Sequence, residues 1–173
     1  MADLNPDETP SSDSARPEHT HPNGLRAHAL LGEFLGEDGW YPQAIEGKHT
    51  YRTFYKGKHG DLRCYAQVRV DLQQFIFYAV APIKAPEESR TAVAEFLTRA
   101  NYGMRIGNFE LDYSDGEVRY KSSLDFEDEE LTPNLIRNSI YPAVQTLDSY
   151  LPGLMRVAFG GQTPFEAIEE IEK

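Results

Sequence analysis

The chain has 173 residues, a formal net charge of −11 and a single cysteine, Cys64. The acidic excess argues against nucleic-acid binding, because affinity for phosphate comes largely from Lys and Arg. One cysteine allows no intramolecular disulfide and is typical of a reducing compartment. No apolar run of about 18 residues predicts a membrane span, and the first residues lack a signal-peptide pattern. We therefore expect a cytoplasmic protein with no nucleic-acid and no membrane partner.

Residues 1–23 are rich in Pro, Ser, Thr, Asp and Glu and have almost no large apolar side chain. Such a segment cannot bury enough surface to offset the entropy of ordering it. We predict that it is a disordered acidic tail. The remaining residues, 24–173, are enough for a single domain with one core.

The first predicted helix runs from Pro22 to Gly36, with an apolar stripe at the 3,4 spacing. Two strand-like runs then flank a turn at Gly57–Gly60. In the second run, residues 62–70, apolar and polar side chains alternate, which predicts one buried face. Cys64 falls on the apolar side of that run, which favours a core residue over a nucleophile. Residues 75–81 are apolar at nearly every position and predict a central strand.

A second helix is predicted between Pro86, near its first turn, and Gly103, after its end. A third begins at Thr132-Pro133 and contains Pro142, which should kink or split the helix because one backbone hydrogen bond is lost. The pair Thr163 and Glu166 forms a capping box for a short terminal helix.

The predicted order is helix, three strands, helix, two strands, helix and short helix. Adjacent strands separated by single helices favour an antiparallel sheet with helices on a face. The fold class we expect is therefore α+β, with a five-stranded antiparallel sheet flanked by helices.

The segment "GNFELDYSDGEVRYKSS", residues 107–123, mixes charges with aromatic residues around an Asp-Gly pair. A calcium loop of the EF-hand type needs Gly at its sixth place, an acid at its first and Glu at its twelfth. With Gly116 in sixth place, these two places hold Leu111 and Ser122. The segment is therefore not an EF-hand loop.

The same segment fits a β-hairpin with a two-residue Asp115-Gly116 turn. That turn predicts four cross-strand pairs: Tyr113 with Val118, Asp112 with Arg119, Leu111 with Tyr120, and Glu110 with Lys121. One face would be apolar, and the other would carry two opposite-charge pairs.

The charge is distributed unevenly. Residues 48–69 contain six Lys or Arg against one Asp, and residues 110–130 contain nine acids against Arg119 and Lys121. A dipolar surface is compatible with self-association or with a charged protein partner, and ordinary solubility also produces one. No G-x-S-x-G and no Walker-type motif occurs. We expect no enzyme, no cofactor and no metal site.

Three blocks carry a family resemblance: "RANYGMRIGNFELDYSDGEVRYKSSLDF", "LIRNSIYPAVQTLDSYLPG" and "GGQTPFEAIEEIE". From residue 25 to the C-terminus the sequence resembles the YbjN family of bacterial proteins, which are described as sensory transduction regulators. The resemblance implies a fold like that of the type III secretion chaperones, with the order α-β-β-β-α-β-β-α. It also implies a small, non-enzymatic, dimeric protein that binds other proteins.

Our leading hypothesis is a cytoplasmic protein-binding module, a chaperone or regulatory adaptor, that acts as a homodimer. The chaperone analogy suggests self-association through the second helix, where Ala92 is a spare apolar residue. A partner segment would bind an aromatic sheet face that includes Tyr51, Phe54, Tyr65 and Tyr78, although plain core packing is an alternative role for each tyrosine.

A rival hypothesis is a small-molecule sensor, in which the concave sheet encloses a ligand near Trp40, Tyr41, Arg52 and Arg69. A closed apolar pocket with convergent polar groups would favour it. An enzyme comes third, since it would need a cluster of titratable groups that the linear sequence does not show.

Overall fold

The computed structural model describes residues 20–173. The predicted tail lies outside the described residues as far as residue 19, and its last two residues belong to the first helix. The helices are α1 (Pro22–Glu37), α2 (Arg90–Tyr102), α3 (Pro133–Phe159) and α4 (Pro164–Ile171). The strands are β1 (Gln43–Ala44), β2 (Thr50–Lys56), β3 (Asp61–Arg69), β4 (Gln74–Lys84), β5 (Asn108–Leu111) and β6 (Glu117–Asp125).

All strand pairs are antiparallel, in the order β1-β2-β3-β4-β6-β5. The predicted α+β class is confirmed, and so is the central place of β4. The sheet has six strands rather than five, because β1 adds a two-residue edge next to Tyr51 and Arg52. Two residues are too few to show an alternating pattern in a sequence.

The four helices contribute to one core on a single face of the sheet, which we call the inner face. Strand residues such as Cys64, Phe77 and Tyr120 share this core with helix residues such as Leu31 and Ile140. Cys64 is fully buried there, as its position in the alternation predicted. No helix residue belongs to the second, smaller cluster of Tyr65, Tyr78 and Val80, which lies on the opposite, outer face.

Of the two expected effects of Pro142, a kink or a split, the split does not occur: helix α3 is continuous through Pro142 and Pro152. A proline inside a helix costs about 3 kcal/mol. The buried stripe of α3 packs against β4 and β6 and against helices α2 and α4. Each fully buried aliphatic side chain contributes about 1.5–3 kcal/mol, so the stripe as a whole outweighs the lost hydrogen bond.

The β5–β6 hairpin forms where predicted, but its register differs by two residues. Leu111 pairs with Val118, not with Tyr120, and Glu110 pairs with Arg119. The Asp112 N–H donates to the Glu117 carbonyl at 2.9 Å and closes a loop of four residues, 113–116. Within it, the Asp112 carboxylate accepts the N–H of Ser114 at 2.7 Å and the Asp112 carbonyl accepts that of Gly116 at 2.8 Å. A shift of two leaves the side chains of the paired strand residues on their predicted faces, since strands alternate with period two. Tyr113, predicted to pair with Val118, lies instead in the loop and is exposed.

Candidate protein-binding face

Tyr65 and Tyr78 face each other across β3 and β4 at the centre of the outer face. Each is at most 3% exposed, although none of the four described helices covers them. Charged side chains provide part of the cover: the Arg119 guanidinium lies 4.2 Å from the ring centre of Tyr78, and that of Arg63 lies 5.8 Å from the ring of Tyr65. Such contacts add cation–π attraction to the packing. The two tyrosines therefore form the floor of the face and not its exposed surface.

Glu110 sits at the β5 side of this face between two cations. Its carboxylate accepts from Arg119 Nε at 2.7 Å and from Lys121 Nζ at 2.5 Å. Burial alone would raise the pKa of Glu110, but the hydrogen bonds from Lys121 and Arg119 hold the pKa below its usual value. Arg119 and Lys121 thus share one carboxylate within the sheet, which compensates part of their charge.

Phe54, on β2, offers the accessible apolar surface of the outer face, with 60% of its area exposed. Arg52 and Lys56 lie two residues to either side on the same face, and Arg63 is its cross-strand neighbour. The Arg63 guanidinium lies 4.0 Å from the Glu117 carboxylate, which is a long distance for an ion pair, and about half of the Arg63 side chain is exposed. The outer face of β2 and β3 therefore presents an exposed aromatic side chain with exposed cations around it.

The structure places three of the five predicted binding residues together on the outer face, namely Phe54, Tyr65 and Tyr78. Tyr51 lies on the inner face, where its ring stacks on His28 at 4.9 Å. Residues three apart in a strand point to opposite faces, so the sequence already contained this separation of Tyr51 from Phe54. Ala92, on α2, is half-buried and packs against the core of its own chain.

The four residues of the small-molecule hypothesis do not converge. Trp40 is buried between Tyr55 and Tyr141, whereas Tyr41 is 88% exposed. Arg52 and Arg69 lie on the outer face, separated along the sheet. The alternation of side chains along β2 and β3 would have identified a different group of residues, which does lie together on the outer face. In this group Arg52 and Lys56 flank Phe54, and Arg63 lies opposite.

Away from the sheet, an open groove of about 630 Å³ lies between α2 and α4. Its lining residues are Thr98, Arg99, Tyr102, Phe165, Ile168, Glu169, Glu172 and Lys173. Across residues 20–173, no group of three His, Cys, Asp or Glu side chains is arranged to hold a metal ion. Within the same range, none of the helices has the length and apolar character needed to cross a bilayer.

An antiparallel sheet with helices on one face is the arrangement of the type III secretion chaperones, and solved structures share it. The crystal structure of YbjN from E. coli has a TM-score of 0.54 at 13% identity, covering 78% of this chain and 89% of that one. A chain of the ExsC–ExsE complex has a TM-score of 0.52 at 11% identity, covering 75% of this chain and 93% of that one. A chain of the HopA1–SchA chaperone–effector complex has a TM-score of 0.50 at 11% identity, covering 75% and 95%.

The model of the YbjN family, described as "Putative bacterial sensory transduction regulator", matches residues 28–155. The chain therefore belongs to the YbjN family, as its sequence blocks indicated. Comparison with curated protein sequences gives no match.

Proposed function

We propose that this protein is a non-catalytic, cytoplasmic protein-binding module of the chaperone or regulatory-adaptor type. Its partner docks on the outer face of the sheet, around Phe54. The observation that carries the proposal is the exposed Phe54 ring, on a sheet face that none of the helices in residues 20–173 covers. Exposed aromatic side chains near a packed aromatic floor are typical of protein-binding surfaces.

The structural neighbours support a binding role by analogy. Two of them come from complexes, and one of these joins a chaperone to an effector. Because a shared fold does not establish a shared function, the proposal rests on the outer face itself. The neighbours add that this architecture is compatible with binding another protein chain.

Photo-crosslinking tests this role. The photoreactive residue p-benzoylphenylalanine replaces Phe54 in the full chain, which is expressed in its native cell and irradiated. The matched control carries the same residue at Phe159, which is 58% exposed at the end of α3. We expect position 54, but not position 159, to form a discrete adduct with another protein. Equal adducts at both positions, or none at position 54, would overturn the proposal.

We also propose that the protein acts as a homodimer that associates through α2. The helix exposes Thr91, Glu95 and Thr98, while Ala92 is half-buried, so polar positions would supply most of the contact. Gel filtration with light scattering at micromolar concentration measures the mass directly. A mass of twice the 19.6 kDa of one chain is expected, and a clean monomer would contradict it.

A further inference from the structure

We propose that the segment bound at the outer face is acidic and extended, and carries an apolar residue between two carboxylates. This inference rests on the proposed function, because it states the chemistry of the partner at the same face. Its occupant is a segment of another protein.

The charge of the outer face favours an acidic partner. The outward side chains of β2 and β3 include four cations, Arg52, Lys56, Arg63 and Arg69, which we call the cationic strip. Asp61, the cross-strand neighbour of Lys56, is the one carboxylate in these two strands, so their outward side chains carry a net charge of +3, four cations against one carboxylate. The whole chain has a net charge of −11, so the strip is opposite in sign to the rest of the protein. Such a local reversal attracts an acidic group and orients its approach.

The spacing of the outward side chains along β2 favours an extended partner segment. Arg52, Phe54 and Lys56 succeed one another on the same face of one strand, so they stand about 6–7 Å apart. An extended peptide has the same repeat. A peptide that carries a carboxylate, an apolar residue and a second carboxylate at alternate positions therefore matches this strand. Its carboxylates would lie over Arg52 and Lys56, and its apolar residue would lie over the Phe54 ring. Arg63, beside Phe54 on β3, broadens the positive rim around the ring.

The β5 edge of the sheet is less suitable for a partner. There the Asn101 side chain accepts the N–H of Phe109 at 2.7 Å and donates to its carbonyl at 3.1 Å. These bonds occupy the backbone groups that an added strand would use. On the same side, Glu110 already forms ion pairs with both Arg119 and Lys121, which leaves less unpaired positive charge there. Docking across the face, over β2 and β3, is consequently favoured over strand addition at β5.

An acidic peptide also fits better than a nucleic acid, the other common ligand of a face with aromatic and basic residues. Affinity for nucleic acid depends on how many phosphates Lys and Arg neutralise. Four cations on a chain of charge −11 allow few such contacts, and the net negative charge of the chain as a whole disfavours a long polyanion.

The test uses fluorescein-labelled synthetic peptides and fluorescence anisotropy with the full chain. One peptide has the sequence GDTLTDG, the second replaces both Asp by Asn, and the third replaces both by Lys. We expect the Asp peptide to bind roughly tenfold more tightly than the Asn peptide, with a preference that weakens as salt is added. Equal binding of the Asp and Asn peptides would overturn the proposal.

Matched variants locate the binding. The double variant R52E/R63E and the single variant F54S should each lose most of the affinity for the Asp peptide. Their controls, R105E and F159S, change an exposed cation and an exposed ring outside the strip and should bind normally. Circular dichroism confirms that each variant is folded. Normal binding by folded R52E/R63E would overturn the assignment to this face.

Two further outcomes separate the alternative occupants. If a short single-stranded oligonucleotide displaces the Asp peptide at lower concentration than unlabelled peptide does, the face is a nucleic-acid site and the proposal is wrong. If deletion of residues 1–19 strengthens peptide binding and a peptide of that sequence competes, the occupant is the chain's own segment, and an external partner is excluded. A crosslinked partner at position 54 without acidic preference would overturn this inference alone, whereas no crosslink would overturn the proposed function.

Discussion

The carboxylate of Asp148, on α3, accepts the backbone N–H of His59 at 2.8 Å across 89 residues of sequence. Its second oxygen accepts the N–H of Lys58 at 3.0 Å. A Cβ atom on Gly57 would lie only 2.2 Å from this carboxylate, so the contact needs a glycine there. The turn between β2 and β3 is thereby fastened to the helix layer. That hairpin carries Phe54, which depends on the turn for its position.

Loss of the Asp148 carboxylate should destabilise the protein. In the Asp148→Ala variant, two partly buried N–H groups lose their acceptor, which costs about 1–3 kcal/mol of the free energy of unfolding. Urea unfolding followed by circular dichroism measures the loss, and amide exchange at Lys58 and His59 should accelerate. The exposed neighbour provides the control variant, Ser149→Ala, for which no change is expected. Equal stability of both variants would show that the contact contributes nothing.

Two glycines of α1 should respond oppositely to the same substitution. A Cβ on Gly24 would lie 2.1 Å from the carbonyl oxygen of Val70, whereas one on Gly36 meets no atom within 4 Å. Gly24→Ala should therefore cost about 1–3 kcal/mol through overpacking. Gly36→Ala should stabilise by about 0.4–1 kcal/mol, because it restricts the unfolded chain. Thermal unfolding compares the two variants, and a stabilising Gly24→Ala would refute the close approach.

Stability should decrease in mild acid because of His28. Burial, with a smaller contribution from the nearby His49, lowers the pKa of His28. The unfolded chain then binds a proton below about pH 6.5 that the folded protein resists, so the free energy of unfolding falls as the pH drops through that value. In the His28→Gln variant the slope between pH 7.5 and 5.5 should be shallower. An NMR titration of the His28 ring gives a direct check, and a raised pKa would contradict the expectation.

The Cys64 thiol should be protected in the folded protein. Burial raises its pKa to about 12, and the side chain is fully enclosed, whereas only an accessible thiolate reacts rapidly. A thiol reagent such as DTNB should react slowly in buffer and rapidly in urea, with a midpoint that matches unfolding by circular dichroism. Rapid reaction without denaturant would mean that the inner face opens locally.

Elements with a local signal were predictable from the sequence. The Thr163–Glu166 capping box is present, and α1 begins at the predicted Pro22. Caps and periodic stripes are properties of neighbouring residues, so the chain carries them without its tertiary context. The hairpin register was harder to predict from the sequence. The Asp112 side chain favours a four-residue loop over the two-residue turn that Asp-Gly usually forms.

The sequence by itself determined the family, the α+β class and the alternation that separates Cys64 from Tyr65. Only the tertiary structure decided that the helices of residues 20–173 leave the outer face of β4 uncovered, because this strand carries apolar residues on both faces. It also decided that Asp148 fastens the β2–β3 turn. A hydrogen bond across 89 residues leaves no periodic trace in the chain. The cationic strip around Phe54 depends on both the sequence and the tertiary structure. The alternation of side chains in the sequence sets its spacing, and the described helices all pack on the other face, which leaves the strip exposed to solvent.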